Sequence, residues 1–229
     1  MKATTVPSDT LFVLFGAGGD LSWRLVVPAL FNLFLDGHLP ERFLLLAADR
    51  ADTSDGFIAE HYLKGTAEYS RRGEPSKEDW QSFSSKIQHI TLDVADTEGF
   101  KKLSEVLDAH EADWGRKAER VFYLATPPSL FKRIARGLGA AGLAQDRDRV
   151  RLVVEKPLGN NLESFHEING ALCRIFEERQ LFRIDHFLGK ETVQNILAMR
   201  SADPYLNKLR IFFCGSGQRA AAPCKALQA

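Results

Sequence analysis

"LFVLFGAGGDL", Leu11 to Leu21, joins a short apolar run to a glycine-rich turn and then to the start of an amphipathic segment. A continuous apolar run over 11–16, closed by glycine, has the pattern of a strand covered on both faces. From Asp20 to about Leu35, the positions Leu21, Leu25, Val26, Leu30, Leu33 and Phe34 fall on one helical stripe. The sequence therefore predicts strand, tight turn, helix. Pro28 lies inside that helix, and a kink is expected there unless the surrounding turns compensate.

The same alternation continues outward from this unit. Buried-strand patterns recur at 42–49, 87–93, 120–126, 149–155 and 180–186, with helical stretches at 57–70, 97–110, 129–141 and 161–178. Six strands separated by helices point to an α/β fold, a doubly wound parallel sheet of the Rossmann-like kind. After residue 207 the pattern stops. One short apolar run is followed by small and polar residues that hold two of the three cysteines.

Composition sets the outer limits. Lys plus Arg and Asp plus Glu balance at 30 each, so no whole-chain field draws the protein to nucleic acid or to a membrane surface. Hydrophobic residues at 45% suffice for a sizeable core. No apolar run reaches the roughly 18 residues a membrane span requires, and "MKATTVPSDT" has no signal-peptide core. Cys173, Cys214 and Cys224 make no disulfide framework. A soluble, cytoplasmic and reduced protein is expected.

The glycine turn is where chemistry enters. Gly16, Gly18 and Gly19 permit a tight turn and a close approach of backbone to an anion, and the amides of the following helix start face the same point. This is the form of a dinucleotide-binding turn, although Leu21 occupies the third glycine position of the usual pattern. The second strand ends in Asp49 and Arg50. An acid at that place accepts hydrogen bonds from the ribose 2′-hydroxyl of NAD, and a cation pairs with the 2′-phosphate of NADP. The geometry and permanent charge of Arg favour NADP, with NAD the alternative. A solvated strand-end pair would look the same.

Two later segments carry charge at the binding edge of such a sheet. In "VVEKPLG" (153–159), Lys156 precedes a proline and is aimed by a rigid turn, while Glu155 is equally suited to an ordinary strand-end ion pair. In "RIDHFLGKETVQNIL" (183–197), His186 and Lys190 are spaced to share a helix face and form an anion clamp, with Asp185 able to orient a ring or a hydroxyl. A solvated charge cluster at a helix start is the plain alternative. No Y-x-x-x-K, Walker A, H-E-x-x-H or G-x-S-x-G motif occurs, and the six histidines lack metal-ligand spacing. No metal is expected.

Taken in order, "GAGGDL", "ATPPSLF", "VVEKPLGNNL" and "RIDHFLGKETVQNIL" resemble glucose-6-phosphate dehydrogenase, from about Leu11 to Met199. The resemblance implies an NADP-dependent oxidation of glucose 6-phosphate to the lactone, the entry to the oxidative pentose phosphate pathway. It implies that Gly16, Ala17, Gly18, Gly19, Asp20 and Leu21 wrap the cofactor pyrophosphate and that Arg50 holds the 2′-phosphate. Asp93, Val94 and "ATPP" (125–128) would line the cofactor pocket. Lys156 would lie between cofactor and sugar, and His186 and Lys190 would hold the 6-phosphate.

The departures from the family are equally specific. Trp23 stands where the family carries a basic residue, which removes a local attraction for anions. The family's general base is a histidine of the second, antiparallel-sheet domain, and neither it nor its acidic helper is found in these residues. The expected organisation is an NADP-binding domain over 1–180, a truncated stub of a second α+β domain over 181–207, and a foreign or frameshifted tail over 208–229. Such a chain would be inactive alone and would lack most of the family's subunit contacts. A non-catalytic NADP-binding module, kept for sensing or partner binding, is the competing reading.

Overall fold

A computed structural model describes residues 8–184. The sequence expectations for Asp185, His186, Lys190 and the 208–229 tail lie outside those residues. Six parallel strands form one sheet: β1 (Thr10–Phe15), β2 (Phe43–Asp49), β3 (Ile87–Thr91), β4 (Glu119–Leu124), β5 (Val150–Glu155) and β6 (Leu181–Ile184). Their spatial order is β3-β2-β1-β4-β5-β6. The chain winds outward in one direction from β1 to β3, then returns to the other side of β1 and winds outward again. The expected doubly wound fold is present, and β6 carries the sheet to Ile184.

Alternation within each strand divides the core in two. Val13 and Phe15 of β1, with Leu44, Leu46 and Ala48 of β2, enter one apolar cluster. Leu14, Leu45 and Ala47, the residues between them, enter the other. Successive strand side chains point to opposite faces, so a strand buried on both faces must be apolar at nearly every position. That is the pattern "FLLLAA" supplies.

Each cluster is completed by its own helices. On one face, α1 (Val27–Leu35), α2 (Asp55–Tyr69) and α3 (Lys77–Ser84) contribute Phe31, Ile58, Tyr62, Trp80 and Phe83. On the other, α4 (Thr97–Trp114), α5 (Pro128–Ala140) and α6 (Leu162–Cys173) contribute Phe100, Leu103, Phe131, Ile134 and Leu172. The α4–α5 contact is close: a Cβ on Gly137 would lie 2.2 Å from the Phe100 ring.

Four expectations are corrected. Pro28 stands in the first turn of α1, and a π-helical turn over Ser22–Val26 precedes it in place of one continuous α-helix. The wider turn moves the backbone hydrogen bonding away from the carbonyl a proline ring would strike. The inserted residue also rotates the stripe, so Leu25 and Leu33 are exposed while Val27, Pro28 and Phe31 turn inward. Helix α3 has no counterpart in the sequence reading, since only Trp80 and Phe83 mark its eight residues as apolar. The helix expected over 161–178 ends at Cys173, and a short 3-10 turn over Glu178–Gln180 leads into β6. Among the described residues no helix is long and apolar enough to cross a membrane.

At the N-terminal edge of the sheet, Glu111 of α4 is buried and accepts hydrogen bonds from Arg120 (3.0 and 2.8 Å) and from the Ala118 amide (3.2 Å). The Lys117 ammonium lies 2.8 Å away. Burial alone would raise the Glu111 pKa, but these donors outweigh it and hold the carboxyl below its ordinary 4.5. A depressed carboxylate contributes stability that is present above 4.5 and lost as pH falls through the folded-state value. Urea unfolding of the parent should therefore weaken on acidification below that point, and Glu111→Gln should flatten the dependence. Parallel pH profiles for the two proteins would refute this.

Candidate functional site

The carboxyl ends of all six strands lie on one edge, and the turn after β1 sits at its centre, where the direction of winding reverses. Gly16 begins that turn with φ of +78°. A Cβ there would lie 2.8 Å from the Ala125 carbonyl oxygen and 3.0 Å from Cγ2 of Thr126. Glycine is required twice over, for the left-handed backbone and for the contact with the exit of β4.

The turn is held by acceptors turned inward. The Gly16 carbonyl accepts from the Gly19 amide at 3.0 Å and from the buried Ser22 hydroxyl at 2.8 Å. The Ala17 carbonyl accepts from the Tyr62 hydroxyl, 3.1 Å away and carried by α2. Burial, and then the nearby Asp49 charge, push the Tyr62 pKa well upward, so it stays a neutral donor. Helix geometry begins at Asp20, which is exposed and lies 3.6 Å from Arg24. Leu21, at the third glycine position, packs partly buried against the core of the α1–α3 face.

Asp49 at the end of β2 reaches across to this turn. Its Oδ2 accepts from the Gly18 amide at 2.8 Å, and its Oδ1 accepts from the amide of Arg50 at 2.8 Å. Arg50 is exposed beside it. Beyond β3, the exposed Asp93 accepts from the Ala95 amide at 2.8 Å and caps its own turn, while Val94 packs partly buried on the core. Beyond β4, Pro127 and Pro128 open α5, and the buried Thr126 hydroxyl has no partner among the described residues.

Beyond β5, the buried Glu155 accepts from the Tyr123 hydroxyl, whose pKa is pushed upward by burial and by this contact. The Lys156–Pro157 peptide is cis, and the Lys156 amide donates to the Ile184 carbonyl at 3.1 Å, which ties this turn to the end of β6. Gly16 to Leu21, Arg50, Asp93, Val94 and Lys156 thus stand on one edge. Asp185, His186 and Lys190 fall outside the described residues, as does any geometry for the clamp. Among the described residues, no group of His, Cys, Asp and Glu is arranged to hold a metal ion.

Comparison with known proteins agrees with this architecture. Residues 13–195 match the family model described as glucose-6-phosphate dehydrogenase, NAD binding domain. The chain belongs to the glucose-6-phosphate dehydrogenase family. The glucose-6-phosphate 1-dehydrogenase of Dickeya dadantii is 38% identical over 210 residues, covering 89% of this chain and 40% of that protein. Glucose-6-phosphate 1-dehydrogenase 2 of Mycobacterium tuberculosis is 38% identical over 194 residues, covering 83% and 37%. A solved glucose-6-phosphate dehydrogenase in complex with its substrate superposes with a TM-score of 0.78 at 32% identity, over 90% of this chain and 42% of that one. The corresponding enzyme of Mycobacterium avium gives 0.71 at 30% identity. The chain spans about 40% of the length of these curated relatives.

Trp23 has a packing role in this domain. Its Nε1 donates to the His61 carbonyl at 3.0 Å, and its ring stacks on His61 and meets Tyr69 edge-on. Gly65 makes room beneath it, since a Cβ there would lie 2.5 Å from the indole Cδ1. The sequence reading named the glycines and Arg50 for this edge but not Ser22, Tyr62 or the Asp49–Gly18 contact. No local pattern marks Tyr62, which lies 45 residues from Ala17.

Removing the Tyr62 hydroxyl leaves the Ala17 carbonyl buried without its donor. Tyr62→Phe should destabilise the fold by about 1–3 kcal/mol, the cost of one unsatisfied buried acceptor. It should also speed amide exchange in the glycine turn more than in β5. Urea unfolding and hydrogen exchange would test this, and an unchanged turn would contradict it.

Proposed function

We propose that this domain binds NADP across the β1–β4 crevice and that proteins of this lineage use it to oxidise glucose 6-phosphate. The observation that carries the reading is the glycine turn. It is packed so closely on the β4 exit that no side chain fits, and its carbonyls are satisfied from within. A cradle of that kind suits the backbone approach of a pyrophosphate. The buried Thr126 hydroxyl and the exposed Arg50 guanidinium beside the cradle are further groups that suit a dinucleotide.

In this reading Gly16, Ala17, Gly18, Gly19, Asp20 and Leu21 surround the pyrophosphate and Arg50 takes the 2′-phosphate. Asp93 and Val94 border the cofactor. Lys156 lies between cofactor and sugar, His186 and Lys190 hold the 6-phosphate, and Asp185 orients a neighbouring group. The bound nicotinamide supplies the hydride acceptor. The protein's part is to hold the sugar, to exclude water, and to take the C1 hydroxyl proton as the hydride leaves. The division near residue 180 into this domain, the start of a substrate domain to 207, and an unrelated tail is part of the same proposal.

Two measurements test it. Loss of a charge-assisted contact costs about 1.5–3 kcal/mol, so Arg50→Ala should weaken NADP by roughly 10- to 100-fold and spare NAD. Titrations in which both cofactors weaken equally would refute the assignment. In this reading the general base is not among these residues. A positioned base contributes about 10²–10⁴-fold in rate, so NADPH formation from glucose 6-phosphate by this chain alone should be negligible. Robust turnover would place a base within these residues; tight NADP binding with no effect of glucose 6-phosphate would favour the sensing module.

A further inference from the structure

The connections of this fold leave part of one sheet face without a helix. Helix α1 joins β1 to β2, and α2 and α3 join β2 to β3, so all three belong to the β1–β3 half of their face. Helices α4, α5 and α6 pack on the opposite face. Among the described residues no connection therefore carries a helix over β5 and β6 on the α1 side. Alternation still sends side chains there. Phe122, Leu152, Val154 and Leu181 enter the α4–α6 cluster, so Val121, Val153, Phe182 and Ile184 point the other way. Val121, Val153 and Ile184 are only partly buried, and Phe182 is 48% exposed. Toward the N-terminal edge the same face turns polar, with Arg151 lying 3.7 Å from Glu119. The apolar patch thus sits toward the carboxyl ends of these strands, where the chain leaves β6 at Ile184.

We infer that residues 188–199 of this chain dock on that patch as an amphipathic helix and give the sheet the cover its other connections do not supply. Three residues separate Ile184 from Leu188. An extended chain advances at most about 3.6 Å per residue, so the segment begins within about 14 Å of the patch. On a helical wheel Leu188, Val193, Ile196, Leu197 and Met199 fill one half, and Lys190, Glu191, Gln194 and Asn195 fill the other. A helix of that length is about 18 Å long, and a six-residue strand such as β5 is about 20 Å long. One helix therefore matches the bare strands end to end. A sheet face that is apolar is buried against another element in a stable fold. A segment tethered this closely meets the face at a high effective concentration, which favours it over a second copy of the chain. No residue of the glycine turn takes part, so the cofactor reading stands or falls separately.

Hydrogen exchange on the full chain tests this, in the parent and in three single variants. In the parent, amides over 188–199 should exchange roughly tenfold or more slower than in an unstructured chain, as a docked segment does. Ile196→Asp puts a charge on the apolar half and should remove that protection and speed exchange in β6. Asn195→Asp puts the same charge on the polar half and should leave both as in the parent. Phe182→Thr acts from the sheet side. Position 182 is exposed and threonine suits a strand, so the core is spared, yet exchange over 188–199 should accelerate. Unprotected amides over 188–199 in the parent overturn the inference, as does an equal response to Ile196→Asp and Asn195→Asp. Protection that Phe182→Thr leaves unchanged puts the segment elsewhere and overturns it as well. Sedimentation of the same samples covers the rival occupant. A dimeric parent that loses protection in β6 and over 188–199 together on dilution gives the face to a second copy, and the inference fails.

Discussion

Gly16 and the exit of β4 occupy almost the same space. The backbone turns left-handed at Gly16, and an added Cβ would meet the Ala125 carbonyl at 2.8 Å. This contact can exist only because β1 and β4 are adjacent while the connections leaving them run to opposite faces of the sheet. The crevice at the switch point and the start of the first helix both follow from it. Any side chain at position 16 would need either the turn or the β4–α5 connection to move.

The turn is supported by groups on two elements at once. Tyr62 of α2 holds the Ala17 carbonyl, Asp49 of β2 holds the Gly18 amide, and Ser22 returns to the Gly16 carbonyl. Trp23 pins the following π-helical turn to α2 through His61, Tyr69 and the space left by Gly65. The amides of the turn are bonded within the domain as well: those of Gly16 and Ala17 donate to the Ala48 carbonyl, that of Gly18 to Asp49 and that of Gly19 to the Gly16 carbonyl. A packed aromatic at position 23 contributes order where a basic residue would contribute charge.

The opposite edge of the sheet works differently. There Glu111 and Arg120 form a buried pair with Asp108 and Lys117 around it, at the N-terminal ends of the strands. Every one of these charges is matched within the cluster, which suits a structural role. At the carboxyl edge, by contrast, the buried Thr126 hydroxyl has no hydrogen-bond partner among the described residues and Arg50 is exposed. The difference between a satisfied edge and an incompletely satisfied one separates the part of the sheet that holds the fold together from the part suited to a ligand.

Local pattern alone determined the alternation of strands and helices, the burial of the strands on both faces, and the glycine turn. Each depends on residues within one element, where periodicity of two or near 3.6 is legible. Helix α3 escaped because eight residues with two aromatics carry too little periodicity, and the phase of the first helix escaped because the π turn adds a residue that no spacing rule anticipates. Motif order carried the family resemblance over about Leu11 to Met199, where the family model matches 13–195, but not the supports of the turn. Tyr62 and Ala17 are 45 residues apart, and Asp49 and Gly18 are 31. Only packing of the sheet in the order β3-β2-β1-β4-β5-β6 brings β2 and α2 against the turn after β1, so the use of Asp49 on a backbone amide was decided by tertiary structure, where contact depends on strand order and not on distance along the chain.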